Sequence, residues 1–368
     1  MGNTDNETRR VMVMAGGTGG HVFPALAVAD KLRALNTEIS WLGTKRGIES
    51  ELVPADGIEL HCLDIEGIRG RGLRALLKAP WLLWRSIRQA SKLLAEFKPA
   101  VVLGMGGFAS GPGAVAARLR GIPVVIHEQN SVAGTTNKLS AKIAKRVMLG
   151  FPDTLENGEW CGNPVRPTIE AMSSPQERFA GRDGNTRILV LGGSRGALGI
   201  NKLIPAALAM LESESRPLIL HQAGKSHLTD TLQLYRQHGI DIEEEGAEVV
   251  PFIEDMAAAY SWADFVICRA GALTVAELTS AGLGSLLIPF PHAIDDHQTL
   301  NGKFLTDCDA AILVQQRDLT ASLLAEQIKT VCAVPEQRLK MAVRARELAK
   351  NNAAERVAQV CLEVGYEQ

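Results

Sequence analysis

The sequence predicts an α/β protein built from two Rossmann-like domains that face each other across a cleft. Three observations predict it. Short β-branched apolar runs alternate with longer Ala/Leu-rich stretches along the whole chain, the pattern of parallel sheets covered by helices. The alternation breaks once, over residues 152–186, where the chain becomes polar and rich in Pro, Gly and Asn, as linkers and domain edges do. On either side of the break a strand runs into the same kind of turn. RVMVMAGGTGGHVFP and RILVLGGSRGALGIN each carry GG[ST]xG, and Gly16 and Gly192 stand 176 residues apart. Ligands of open α/β sheets sit at the carboxyl ends of strands, so both turns are expected to open into the cleft.

In the first half the expected strands are RVMVMA, ISWLG, AVVLGMG, IPVVIHE and RVMLGF. In the second they are RILVLGG, PLILHQAG, EVVPFI, ADFVIC, GSLLIPF and AAILVQ. Helical patterns between them include PALAVADKLRAL, INKLIPAALAML and TVAELTSAG. The domains are expected to span 1–163 and 164–347, with a C-terminal helix of about 348–368 packing back on the first. A chain of 368 residues suits two such domains.

Composition narrows the function classes. A net charge of −2 gives no reason to expect nucleic-acid binding. Six cysteines without a CxxC pair suggest neither a zinc site nor a disulfide framework. The polar start MGNTDNETRR runs straight into a strand and does not read as a signal peptide. No window is long and apolar enough for a spanning helix, so the chain reads as soluble and cytosolic.

The glycine turns fit neither standard nucleotide motif. G-x-G-x-x-G started at Gly17 would need glycine where Val22 stands, and the phosphate loop of NTPases would need G-K-[ST] where His21 stands. The physics of the turn remains. Glycines let backbone N–H groups approach an anion, and a helix N-terminus favours negative charge. A third cluster, GMGGFASGPG at 104–113, strengthens a ligand-binding reading. Polar residues also gather at strand ends. HEQN (127–130) follows IPVVI; His127 suits a structural role, whereas Glu128 and Asn130 are hard to explain as packing. CRAGALTVAEL (268–278) follows ADFVI, with a helix expected from about Leu273 and Glu277 in its first turn. PFPHAIDDHQTLNG (289–302) follows GSLLI.

GGTGGH, GMGGFASGP, HEQN, GNPVR, GGSRGA, CRAGALTVAE and DDHQTLN occur in an order and spacing that resemble one family. These are the bacterial UDP-N-acetylglucosamine–N-acetylmuramyl-(pentapeptide) pyrophosphoryl-undecaprenol N-acetylglucosaminyltransferases. The resemblance runs from about Arg10 to the C-terminal helix. It implies the two-domain GT-B fold and inverting, metal-independent transfer of N-acetylglucosamine (GlcNAc) from UDP-GlcNAc. The implied acceptor is the 4-hydroxyl of the N-acetylmuramic acid (MurNAc) in undecaprenyl-pyrophosphoryl-MurNAc-pentapeptide (lipid I), giving lipid II for peptidoglycan. It implies no cofactor and a peripheral place on the cytoplasmic face of the bacterial inner membrane.

The resemblance also implies site residues. Thr18, Gly19 and Gly20 match the first glycine loop, facing sugar and diphosphate, and Asn130 matches a donor-sugar contact. Arg166 and Ser194 match nucleotide contacts, and Ile253 matches the position whose backbone reads the uracil edge. Ala272, Leu273, Thr274, Val275, Ala276 and Glu277 match the diphosphate-binding turn, with Glu277 on the ribose hydroxyls. Gln298 matches a donor-sugar contact; His297 beside it, and Arg195 in the second loop, depart from some relatives and have open roles.

Physical chemistry agrees with such a reaction. Helix N-termini and glycine N–H groups can stabilise a departing diphosphate without a metal. The one D-x-D string, Asp307–Cys308–Asp309, lies in a late polar turn and reads as incidental. One base must take the acceptor's proton. Histidine titrates near neutral pH, which favours His21, with a helix-capping role as its alternative; Glu128 is the other candidate, or orients the histidine or the acceptor.

Residues 69–94, RGRGLRALLKAPWLLWRSIRQASKLL, offer a membrane face. Trp81, Trp84, Arg85, Arg88 and Lys92 share one side of a helix, suited to an anionic lipid surface. Leu82, Leu83, Ala90 and Leu94 are expected to pack inward. The alternative is a solvated helix whose tryptophans pack at a domain edge. Two rival functions share a UDP-sugar site: a UDP-GlcNAc epimerase, which needs no acceptor, and a non-enzymatic UDP-sugar sensor.

Overall fold

The structure, a computed structural model, describes residues 9–65, 72–192, 196–242 and 246–366; of 72–78 and 294 it describes the backbone alone. The chain forms two units, Met1–Val165 with Asn352–Gln368, and Arg166–Asn351.

The first unit is a parallel sheet of β1 (Arg9–Ala15), β2 (Thr37–Gly43), β3 (Glu59–Cys62), β4 (Val101–Gly106), β5 (Val124–Glu128), β6 (Arg146–Leu149) and β7 (Glu159–Trp160). Their order is β3-β2-β1-β4-β5-β6-β7. The apolar run of β1 is buried on both faces, and side chains alternate between them. Val11, Val13 and Ala15 enter one layer with Val22, Ala25 and Val28 of the helix Gly19–Ala34 and Val357 and Cys361 of the helix Ala353–Tyr366. Met12 and Met14 enter the other with Ala90 and Leu94 of the helix Gly72–Phe97 and Ala114 and Ala117 of the helix Ser110–Leu119. The chain's last helix thus completes the first unit's core. Arg356 fastens it further, donating to Glu159 at 2.6 and 3.0 Å.

The second unit has β8 (Arg187–Leu191), β9 (Leu218–Gln222), β10 (Ala247–Val250), β11 (Phe265–Cys268), β12 (Ser285–Leu287) and β13 (Ala311–Leu313), all parallel. Their order is β10-β9-β8-β11-β12-β13. In both sheets the order reverses beside the first strand, between β1 and β4 and between β8 and β11. The crevice outside the carboxyl ends of such a strand pair is where open α/β sheets bind ligands.

Two strands escape the sequence pattern. ELHC in β3 is polar because it lies at the sheet's edge, and β7 is two residues long, pairing Met148 with Glu159 and Leu149 with Trp160. The latter lies inside the polar break, which is therefore more than a linker. The break also holds the helix Pro175–Phe179, entered through a Ser174/Glu177 capping box. Arg178 donates to the carbonyls of Ala281 and Gly282, and Arg182 to those of Trp262 and Ala263, so guanidinium groups satisfy two helix C-termini. The first helix begins at Gly19 rather than at Pro24. Proline at its sixth position removes one N–H without ending the helix.

Candidate active site

In the first unit the turns after β1, β4 and β5, three adjacent strands, come together. Gly17 (φ 93°) turns the chain after β1, and Thr18 caps the helix Gly19–Ala34 with extended backbone. After β4, Gly106 (φ 100°) and Gly107 (φ 91°) make the second turn. A Cβ on Gly107 would lie 2.4 Å from the Gly16 carbonyl oxygen, and one on Gly106 would lie 2.7 Å from His21 Nδ1. Glycine is required because the two turns and the histidine occupy the same space. Ser110 Oγ lies 2.7 Å from both the Met14 and Gly106 carbonyls and locks the strand ends together. Phe108, on the second turn, is 54% exposed.

His21 is half-buried, and its Nδ1 lies 2.9 Å from Gln129 Oε1. The helix cap is Thr18, so His21 is not the capping residue. Gln129 is buried and donates through Nε2 to the His127 carbonyl at 3.1 Å, with His127 Nδ1 at 3.2 Å. His127 Nε2 lies 2.9 Å from the Gly162 carbonyl, and burial brings its pKa down to about 4. Glu128 is also buried. Its carboxylate accepts from Asn130 N (3.0 Å), Asn130 Nδ2 (3.3 Å), Gly134 N (3.1 Å) and Asn137 Nδ2 (2.9 Å). Those bonds make it a brace for the 130–134 loop.

Beneath the first glycine turn sits a residue the sequence does not announce. Glu49 is fully buried, and its carboxylate accepts from Gly17 N (2.8 Å), Thr44 N (3.0 Å) and Thr44 Oγ1 (2.7 Å). The Gly17 N–H is therefore engaged by the protein's own carboxylate and is not an anion donor. The first N–H groups of the helix, at Gly19 and Gly20, have no acceptor within it.

The second unit builds its site around one buried carboxylate. The helix Ala272–Ala281 is capped by Gly271 and starts one residue earlier than expected; Glu277 is its sixth residue and lies in its second turn, not its first. Glu277 is buried beside Tyr260, whose hydroxyl donates to Oε2 at 3.0 Å. Arg166 Nη2 stands 3.8 Å from Oε1. Burial raises the Glu277 pKa, opposed by Arg166 and then by the Tyr260 bond. Oε1 is buried and has no hydrogen-bond partner among the described residues, so it has an unused acceptor.

The other expected residues of this unit lie on its helices and loops. Ala272 and Val275 are buried, while Leu273, Thr274 and Ala276 are half-buried. Ile253 is buried in the loop before the helix Met256–Trp262. Gln298 Oε1 accepts from Phe290 N at 2.8 Å, and the half-buried His297 begins the helix His297–Thr306. Arg269, absent from the expected set, stacks on Phe290 and donates to the carbonyls of Ile288 and Pro289, each at 3.1 Å. It ties together the loops that follow β11 and β12. Ser194 and Arg195 lie outside the described residues. In the D-x-D turn, Asp307 ends a helix, while Asp309 (φ 51°) accepts from Arg344 at 2.9 Å.

The basic helix Gly72–Phe97 buries Ser86, Ala90 and Leu94 and exposes Trp81 (58%) and Trp84 (53%). Arg85 lies 5.7 Å over the Trp81 ring and Arg88 4.9 Å over that of Trp84. Leu83 does not pack inward. Pro80, Trp81, Leu83 and Trp84 are all exposed, so this turn of the helix extends beyond the layer that covers Ala90 and Leu94. No helix among the described residues is long and apolar enough to cross a membrane.

Comparison with known proteins matches the layout. The model of the glycosyltransferase family 28 N-terminal domain covers residues 11–149, and that of the family 28 C-terminal domain covers 187–360. The UDP-N-acetylglucosamine–N-acetylmuramyl-(pentapeptide) pyrophosphoryl-undecaprenol N-acetylglucosamine transferase of Azotobacter vinelandii is 53% identical over 357 residues, 96% of this chain and 98% of that protein. The protein of the same name from Cellvibrio japonicus is 52% identical over 366 residues, 98% of this chain and 99% of its own. The crystal structure of Acinetobacter baumannii MurG superposes with a TM-score of 0.84 at 41% identity, over 96% of this chain and 99% of that one. With both domain models matched in order on the two sheets, and half of all residues shared with full-length relatives, the chain belongs to glycosyltransferase family 28.

Proposed function

We propose that this enzyme transfers GlcNAc from UDP-GlcNAc to the 4-hydroxyl of the MurNAc of lipid I, forming lipid II. The observation that carries the reading is the full-length likeness to transferases named for that reaction, at 53 and 52% identity. The same likeness disfavours the epimerase reading. His21 is the general base. The acceptor oxygen attacks the anomeric carbon from the face opposite UDP, its proton passes to the imidazole, and the C–O bond to UDP breaks with inversion. Glu128 serves by holding the loop that presents Asn130 to the donor sugar.

The second unit holds the donor. The free Oε1 of Glu277 accepts from a ribose hydroxyl, and Arg166 beside it contacts the nucleotide. Ile253 reads the uracil edge through its backbone, and Ser194 contributes a further nucleotide contact. The first N–H groups of the helix Ala272–Ala281 offer donors to the diphosphate. Gln298 contacts the donor sugar through its amide. Thr18, Gly19 and Gly20 present backbone toward sugar and diphosphate. Transfer is metal-independent, a reading supported by the engagement of Asp309 with Arg344. The face formed by Trp81, Trp84, Arg85 and Arg88 rests on an anionic membrane, placing the enzyme peripherally on the cytoplasmic face of the inner membrane.

Radiolabelled UDP-GlcNAc with a lipid I analogue, in EDTA, tests the function. The expected result is acceptor-dependent labelled product. Sugar conversion without acceptor would restore the epimerase, binding without product the sensor, and activity lost in EDTA but restored by magnesium would reopen the D-x-D turn.

A further inference from the structure

The hydrogen-bond chain behind His21 fixes more than its position. The Gly162 carbonyl can only accept, so the His127 nitrogen facing it, Nε2 at 2.9 Å, carries the hydrogen. His127 is completely buried and held neutral by that burial, so its Nδ1 is a bare acceptor. Gln129 Nε2 faces two acceptors at once, that Nδ1 at 3.2 Å and the His127 carbonyl at 3.1 Å. Turning the amide over would set Oε1 against both lone pairs with no donor between them. The orientation of Gln129 is thereby determined, and Oε1 faces His21 Nδ1 at 2.9 Å. Since Oε1 can only accept, His21 Nδ1 carries the hydrogen.

We infer that Gln129, backed by His127, is a positioning residue that holds neutral His21 in the tautomer with hydrogen on Nδ1 and the lone pair on Nε2. The inference rests on the reading of His21 as the base and supplies what that reading lacks, a reason why one ring nitrogen is always ready. Nε2 makes no hydrogen bond among the described residues, whereas the Nδ1 edge is packed against Gly106 and Gln129. The relay is built entirely within the first unit, from the ends of β5 and the 162 turn. When the acceptor's proton arrives on Nε2, the Nδ1–H···Oε1 bond becomes charge-assisted and strengthens. The imidazolium is therefore stabilised as the reaction needs it.

The test is nitrogen NMR of protein labelled with ¹⁵N-histidine, above the pH at which its exposed histidines are charged, on wild type, His21→Ala (to assign the signal), Gln129→Leu and His127→Phe. Wild-type His21 is expected to show a protonated Nδ1 and a bare Nε2. Gln129→Leu should move that signal toward the other tautomer, and His127→Phe should do so partially. In the transfer assay Gln129→Leu should lower kcat roughly 10–100-fold with KM for UDP-GlcNAc within about twofold. A wild-type signal with hydrogen on Nε2, or one that Gln129→Leu leaves unmoved, overturns the inference, and so does a kcat equal to wild type in Gln129→Leu. Full transfer by His21→Ala overturns the base assignment instead, and the NMR pattern still decides the tautomer.

Discussion

The two units share one sheet plan and use it differently. In each, the site gathers at the strand ends beside the order reversal, and in each a buried carboxylate lies at its centre. Glu49 in the first unit has its bonds filled by the protein: Gly17 N, Thr44 N and Thr44 Oγ1. Glu277 in the second keeps Oε1 unfilled, with a guanidinium 3.8 Å away. The difference separates scaffolding from binding. A saturated carboxylate sets the shape of a turn, while one with an unused acceptor can take one more hydrogen bond.

Each unit also buries a neutral histidine, and the comparison repeats. His127 connects through Gln129 to His21 at the site, whereas His221 bonds Tyr235 (3.1 Å) and Asn201 (3.2 Å) in the core. Burial brings these side chains from an ordinary 6.5 to about 4 and about 3. Below pH 6.5 the unfolded chain takes up protons that the folded chain refuses. Stability therefore falls as pH drops through 6.5 toward 4, and His221 extends the loss toward 3. The loss over each full window is roughly 3 kcal/mol for His127 and roughly 5 kcal/mol for His221. Melting temperature followed from pH 7 to 4 should decline steadily; a flat profile would show that these histidines are not held neutral.

Next in size is the turn beneath His21. Glu49→Gln should place an amide N–H against one of the donors now satisfied, costing about 1–3 kcal/mol of stability. UDP affinity should change little, because Glu49 bonds only Gly17 and Thr44 and the proposed contacts to the nucleoside lie in the second unit. Weakened UDP binding in a folded Glu49→Gln protein would erase the distinction between the two carboxylates.

The smallest effect concerns the exposed helix. Arg85→Glu with Arg88→Glu should remove binding to vesicles of anionic lipid, each arginine contributing on the order of 1 kcal/mol at low salt. Transfer to a water-soluble lipid I analogue should survive. A double variant that sediments with vesicles as the wild type does would end the membrane assignment.

Much of this was legible in the residues. VMVMA, VVIHE and the glycine turns announce strands and their ends, because buried parallel strands need unbroken apolar runs and close turns need glycine. HEQN shows polar residues gathered at a strand end, but only the fold sets its glutamine against His21. The strands β3 and β7 were hidden, one polar and one only two residues long. Glu49 and Tyr260 were hidden for a different reason. Their partners are Gly17, 32 residues from Glu49, and Glu277, 17 residues from Tyr260, and only tertiary structure brings these pairs together.

The division of labour between the units is tested most directly by measuring two variants two ways. UDP affinity by calorimetry and single-turnover GlcNAc transfer at saturating donor are compared for His21→Ala and Glu277→Ala. His21→Ala should lose about 10²–10⁴ in transfer rate while binding UDP as the wild type does. Glu277→Ala should lose about 1.5–3 kcal/mol of UDP affinity and recover most of its transfer rate once donor saturates. Weakened UDP binding in His21→Ala, or unchanged affinity in a folded Glu277→Ala protein, would contradict the assignment of chemistry to the first unit and donor binding to the second.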